Sequence, residues 1–217
     1  MSIKNIFFDF DGVLAESVSA KTNAFKEMYL PYGEDIANQV IEYHLKNGGV
    51  SRFEKFKYWE KTFLGRDITE NRIKELADEF SNLVLEKVIK AKEVPFAKEF
   101  LKKHFQNLKF WIITGTPSDE IDLIAKKRDI SQYFIGIYGS PNSKKYWTEY
   151  LITTHNLKRE ETLFLGDATT DIEAAEFSKI HFALRENNEN KKLFSDYKGP
   201  RFKDFFELET ILKNSLL

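Results

Sequence analysis

The sequence predicts an α/β fold: a doubly wound, Rossmann-like parallel sheet with a block of helices inserted after its first strand. Three observations predict it. Short apolar runs of strand character recur at residues 3–8, 109–114, 134–138, 162–165 and 180–183. The last four alternate with segments of helical spacing at 118–127, 144–155 and 171–177, as expected of parallel strands joined by crossover helices. From about Ser17 to Glu93 the alternation stops, and only helical patterns occur.

Each apolar run is 4 to 6 residues long, a length suited to a buried strand. The insert offers helices at 20–29, 35–46, 53–62 and 70–89, punctuated as turns by Pro31-Tyr32-Gly33, Gly48-Gly49 and Gly65. Val94-Pro95 marks the return to the sheet, so the expected division is a core of 1–15 plus 94–217 and a helical cap of 16–93. After Leu184 the stretch RENNENKK reads as a solvated loop, and 202–216 as a last amphipathic helix. The aromatic set Phe53, Phe56, Tyr58, Trp59 and Phe63 is spaced mostly for a buried helical face.

Composition narrows the chemistry. The 217 residues are 42% hydrophobic and include 20 phenylalanines, a globular composition. Lys plus Arg number 33 against 34 Asp plus Glu, leaving a net charge of −1 and no basic field for a nucleic-acid partner. No apolar run approaches the roughly 18 residues a membrane span needs, and MSIKNIFFDF lacks the pattern of a secretory leader; the expectation is a cytoplasmic protein with no membrane partner. With no cysteine, any metal must sit on oxygen or imidazole. His44, His104, His155 and His181 show no ligand spacing and read as structural. Oxygen ligation points to magnesium.

Ligands of an open parallel sheet bind beyond the carboxyl ends of its strands. Four of the five expected strand ends carry polar groups: Asp9 and Asp11, Thr114-Gly115-Thr116, Ser140 to Lys145, and Gly166-Asp167 with Asp171. Carboxylates that converge without compensation repel one another, so Asp9, Asp167 and Asp171 together call for a divalent cation. Asp9 and Asp11 start on the same side of their strand, and Gly12 permits a sharp bend beyond them. One carboxylate can then attack phosphorus while the other moves a proton. Thr114 with nearby backbone N–H groups, and a lysine, would neutralise the transferred phosphoryl group.

The stretches DFDGVLAES, IITGTP, GSPNSK and LGDATTDIEAA, in this order, resemble the four motifs of the haloacid dehalogenase-like hydrolase superfamily. The insert resembles the α-helical cap of the subgroup that includes phosphoglycolate phosphatase and β-phosphoglucomutase. The resemblance implies Asp9 as nucleophile, Asp11 as acid and base, Thr114 and Gly115 at the phosphate, and Lys144 as charge clamp with Lys145 as the alternative. It also implies Mg2+ held by Asp9, Asp167, the supporting Asp171 and the backbone carbonyl of Asp11. GGVSRFEKF resembles a cap loop that reaches over the substrate, making Arg52 and Lys55 candidate specificity residues, although Arg52 at a helix start also reads as a surface charge. Rival readings are open for Asp171 as a helix cap, Thr116 as the cap of the following helix, and Lys144 as a surface lysine. The expected activity is hydrolysis of a small phosphorylated metabolite, with a sugar phosphate in view, through an aspartyl-phosphate. A phosphomutase and a non-catalytic phosphate-binding module are the alternatives. Lys21 stands where β-phosphoglucomutases carry histidine, twelve residues after the nucleophile, which weakens the mutase reading.

Overall fold

Strand β1, Asn5–Phe8, lies in the middle of a six-stranded sheet, in a computed structural model that describes residues 3–213. The others are β2 (Lys109–Pro117), β3 (Gly136–Ser140), β4 (Thr162–Gly166), β5 (His181–Arg185) and β6 (Arg201–Phe202), in the order β3-β2-β1-β4-β5-β6. Every pairing is parallel. The chain winds outward from β1 to β3 and then crosses to wind outward from β4 to β6, so the direction reverses between β1 and β4 and their carboxyl ends mark the crevice where ligands of such sheets bind.

Apolar residues fill β1 because both sheet faces are covered. Phe8 packs edge-on against Phe100, Phe110 and Phe134 and stacks with Phe205, whereas Phe7, pointing the other way, meets Trp111 and Phe164. The first face is covered by α5 (Ala97–His104), α6 (Ser118–Lys127) and α9 (Phe205–Ile211). The second is covered by α7 (Lys144–Thr154) and α8 (Thr169–Phe177).

Between β1 and α5 run α1 (Val18–Tyr29), α2 (Glu34–Lys46), α3 (Arg52–Thr62) and α4 (Glu70–Ile89). They share an aromatic centre in which Phe25 stacks on Phe80 with centroids 3.9 Å apart, and Phe56, Trp59 and Tyr29 close around that pair. Of the five clustered aromatics in α3 and just beyond, Phe56 and Trp59 are fully buried, while Tyr58 lies outside and stacks on Tyr43. The chain leaves and re-enters the sheet layer through two adjacent connectors: Glu16 N–H donates to Lys92 O and Val94 N–H to Leu14 O. Arg128, behind α6, donates to the carbonyls of Val88, Ile89 and Ala91 and so satisfies the end of α4.

Several boundaries differ from the sequence reading. The final segment is not one helix: Phe202 pairs in β6, and α9 begins only at Phe205, where Asp204 Oδ1 accepts from Glu207 N–H. Residues 214–216 of the expected helix lie outside the described residues. Helix α5, unforeseen, is short and starts beside Phe96 in a left-handed turn. Strands β2, β3 and β5 each extend further toward the site than their apolar runs indicate: β5 stays paired with β6 to Arg185, and β2 and β3 pair again at Pro117 and Ser140 after an irregularity beyond Ile113.

Candidate active site

Asp9 follows β1 directly and is buried, with Oδ1 accepting from Phe10 N–H at 2.7 Å. Asp167 and Asp171 come from β4's end and the first turn of α8, and one carboxylate oxygen from each of the three residues lies within 4.8 Å of the others. Gly12 makes this convergence possible. Its φ is +77°, and a Cβ there would stand 2.1 Å from Asp167 Oδ2.

One cation partly balances the three acids. Lys144 Nζ lies 2.8 Å from Asp9 Oδ2 and 2.6 Å from Asp171 Oδ1, fully buried, whereas Lys145 reaches outward to Glu173. Asp171 also serves the helix: its Oδ2 accepts from Asp167 and Ala168 N–H at 3.2 and 3.0 Å, so capping and charge pairing coexist in one side chain. Burial, reinforced by the neighbouring Asp9 and Asp171 charges, pushes the Asp167 carboxyl well above its usual range. Burial also raises Asp171, to about 7, against the pull of Lys144. For Lys144 burial works downward, but Asp171 and Asp9 outweigh it and hold the ammonium above its ordinary value.

Three carboxylates and one ammonium leave a buried surplus of negative charge on oxygen donors, which fits a hard divalent cation. Without such an ion, a carboxyl whose pKa is higher folded than unfolded binds its proton more tightly in the native state. Its stabilising contribution is present in full below about pH 4 and is lost as pH rises, for Asp171 through about 7. We therefore expect the melting temperature in EDTA to fall between about pH 5 and 8, and excess magnesium to remove that slope. A flat profile in EDTA would contradict this charge arrangement.

Asp11 stands apart from the cluster. Its carboxylate accepts from Ser17 Oγ at 2.6 Å, Lys21 Nζ at 2.5 Å and Thr116 Oγ1 at 3.1 Å. Burial raises its pKa, but Lys21 and the two hydroxyls outweigh burial and leave it below the ordinary value. Lys21 bridges further, to Thr116 Oγ1 at 2.8 Å, so Thr116 faces Asp11 and Lys21 and makes no side-chain cap bond to α6. Thr114 is buried on β2, its hydroxyl accepting from Thr116 N–H.

A pocket lined by Asp9, Asp11, Thr114, Gly115 and Asp167 on the sheet side is roofed by the turn between α2 and α3. Gly49, at φ +78°, permits this roof: a Cβ there would strike Thr170 Oγ1 and approach Lys144 Nζ to 2.9 Å. Thr170 Oγ1 donates to Gly48 O at 3.0 Å, and Gly115 faces Gly49 O so closely that a Cβ would stand 2.5 Å from it. The Gly115–Gly49 approach is backbone to backbone.

Arg52 is not a surface charge. Its guanidinium is buried, donating to both oxygens of Glu120 at 2.9 and 2.7 Å and to Ser81 Oγ at 2.5 Å, and lies over the Phe80 ring. It lines the pocket with its charge already matched. The stretch read as a solvated loop is also different. Asn187 donates to Asp167 Oδ2 at 3.1 Å, and the buried Asn190 donates to Asp167 O and Arg185 O. Its polar composition hid this, since asparagines that bind a distant carboxylate look in sequence like asparagines that bind water. His44, read as structural, lines the pocket as well.

The fold and this site place a cluster of buried carboxylates at the carboxyl edge of a parallel α/β sheet, where such folds bind ligands. Over residues 6–184 the sequence matches the haloacid dehalogenase-like hydrolase family, and the chain belongs to it. It is similar to a phosphoglycolate phosphatase of Photorhabdus laumondii, with 30% identity over 181 residues, covering 80% of this chain and 76% of that protein. The fold is similar to that of a predicted phosphoglycolate phosphatase from Haemophilus somnus, at TM-score 0.73 and 20% identity, over 97% of this chain and 98% of that one. It is equally similar to a protein of Bacteroides vulgatus assigned as a β-phosphoglucomutase, at TM-score 0.76 and 20% identity, over 99% and 90% of the two chains. Within the family's description the chain is a hydrolase. No helix among the described residues is long and apolar enough to cross a membrane.

Proposed function

We propose that the protein is a magnesium-dependent phosphatase that hydrolyses a small phosphomonoester through a phosphorylated Asp9. The observation that carries this reading is the buried cluster of Asp9, Asp167 and Asp171, of which Asp9 and Asp167 line the floor of a roofed pocket. In the first step a carboxylate oxygen of Asp9 attacks phosphorus, the P–O bond to the leaving alcohol breaks, and Asp11 gives that oxygen a proton. Approach of a phosphoryl dianion opposes the pull of Lys21 and raises Asp11, which suits it to carry that proton. Asp11 then takes a proton from water, whose oxygen attacks the same phosphorus; the P–O bond to Asp9 breaks and inorganic phosphate leaves.

Thr114 and the backbone at Gly115 orient the phosphoryl oxygens, and Lys144 offsets their charge while fixing Asp9. Asp9, Asp167 and the Asp11 carbonyl would hold Mg2+, with Asp171 in support; bound there, it supplies charge neutralisation for the transferring group. Residues 16–93 act as a cap over a core of 1–15 and 94–217, and closure excludes bulk water from the phosphorylated state. EDTA should abolish turnover of a chromogenic phosphomonoester and magnesium should restore it. Full turnover after exhaustive metal removal would sink the proposal.

A further inference from the structure

Of the three clustered acids, Asp167 is held least by its own surroundings. Asp9 accepts from Phe10 N–H and lies against Lys144, and Asp171 accepts from Lys144 and from two backbone N–H groups. The Asp167 carboxylate receives one side-chain donor among the described residues, Asn187 Nδ2, which reaches Oδ2 at 3.1 Å. Asn187 is itself fixed. Its Oδ1 accepts from Asn190 N–H at 2.8 Å while Asn190 Oδ1 accepts from Asn187 N–H at 2.9 Å, so the two side chains clasp each other's backbone. Asn190 is buried and donates through Nδ2 to two carbonyls, Asp167 O at 2.8 Å and Arg185 O at 2.9 Å. Turning either amide over would set oxygen against oxygen, at a carboxylate for Asn187 and at two carbonyls for Asn190, so each has a single orientation. Gly12 confines the same carboxylate oxygen, since a Cβ there would stand 2.1 Å from Oδ2.

Resting on the magnesium-dependent reading above, we propose that Asn187 and Asn190 are positioning residues that orient the Asp167 carboxylate for a small, hard cation and so give the site a preference for Mg2+ over Ca2+. The two ions ask different things of a carboxylate. Mg2+ demands near-ideal octahedral geometry at short bonds, whereas Ca2+ accepts more oxygens, longer bonds and irregular angles. A carboxylate tied by Asn187 on one oxygen and confined there by Gly12 has little freedom to swing outward for the larger ion. Released from Asn187, it gains that freedom, and the geometric advantage of the smaller ion is lost. Partners that act on a metal ligand from outside its coordination sphere are worth 10–100-fold in affinity in general. The clasp also places pocket wall: Glu189, between the two asparagines, and Leu193 just beyond them line the same pocket as Asp9 and Asp167. The stretch that orients the metal ligand therefore also borders the substrate space.

Calorimetric titration of the metal-free protein with Mg2+ and, separately, with Ca2+ tests this without requiring turnover. The unaltered protein should bind Mg2+ more tightly than Ca2+. Asn187→Ala should weaken Mg2+ by about 10- to 100-fold and Ca2+ by about threefold or less, so that the preference shrinks or inverts. Asn187→Ser removes the same amide donor with a smaller change and carries the comparison if the alanine variant does not fold. Damage to the fold or to the local charge would weaken both ions alike, so equal losses for the two ions overturn the proposal, as does no loss for either. Ca2+ bound as tightly as Mg2+ by the unaltered protein overturns it whether or not any variant folds. Failure of the unaltered protein to bind either ion overturns both this inference and the magnesium reading. If the ion preference and its loss are found but no phosphomonoester is hydrolysed, the positioning role stands and the phosphatase chemistry falls.

Discussion

Asp9→Asn lowers turnover of any phosphomonoester by at least about 100-fold, the usual scale for deleting an essential catalytic group, while the protein stays folded. The reasoning is local. Asn keeps the size of the side chain and can still accept from Phe10 N–H at the position of Oδ1, but a neutral amide is a far poorer nucleophile toward phosphorus. Substitution also removes one of three clustered negative charges, so affinity for magnesium should fall together with rate. Steady-state kinetics with saturating magnesium separates the two effects. A variant that retains a tenth or more of the wild-type kcat there would show that Asp9 is not the attacking group.

Glu120→Ala destabilises the protein by about 3–5 kcal/mol, because it strands the Arg52 guanidinium in a buried site with only Ser81 to receive it. For a chain of this size that loss lowers the melting temperature by roughly 6–20 °C. Replacing the pair together, Arg52→Met with Glu120→Leu, should recover most of the loss, since two apolar side chains fill the space without unpaired charge. Urea unfolding of Arg52→Met, Glu120→Leu and the double variant measures the coupling. Additive losses would show that the two residues act independently of each other.

These two cases also show which parts of the molecule could be read in the sequence. Strand β1 and its carboxylates were legible because a short apolar run ending in acidic residues has few alternative structures, and the parallel pairing of the strands follows from their alternation with helices. The three-acid cluster was legible because each member follows a strand. Partnerships across the fold were not. Glu120 looks like an ordinary acid in the first turn of α6, Lys21 like an exposed helix lysine, and Asn187 and Asn190 like solvated loop residues. Each acquires its role from a residue far away in the chain, and no local pattern encodes a partner at that distance. The ends of β2 and β5 were missed for a related reason: β5 is carried on by its pairing with β6, and β2 meets β3 again at Pro117 after an irregularity, neither of which side-chain apolarity reveals.

The attachment of Asn187 and Asn190 to Asp167 separates two kinds of completeness. A gene product cut after Leu184 would still spell out every signature of its family, ending where the family match ends. It would nonetheless lose the amide donors that aim Asp167, so possession of the signatures is no guarantee of a correctly aligned catalyst.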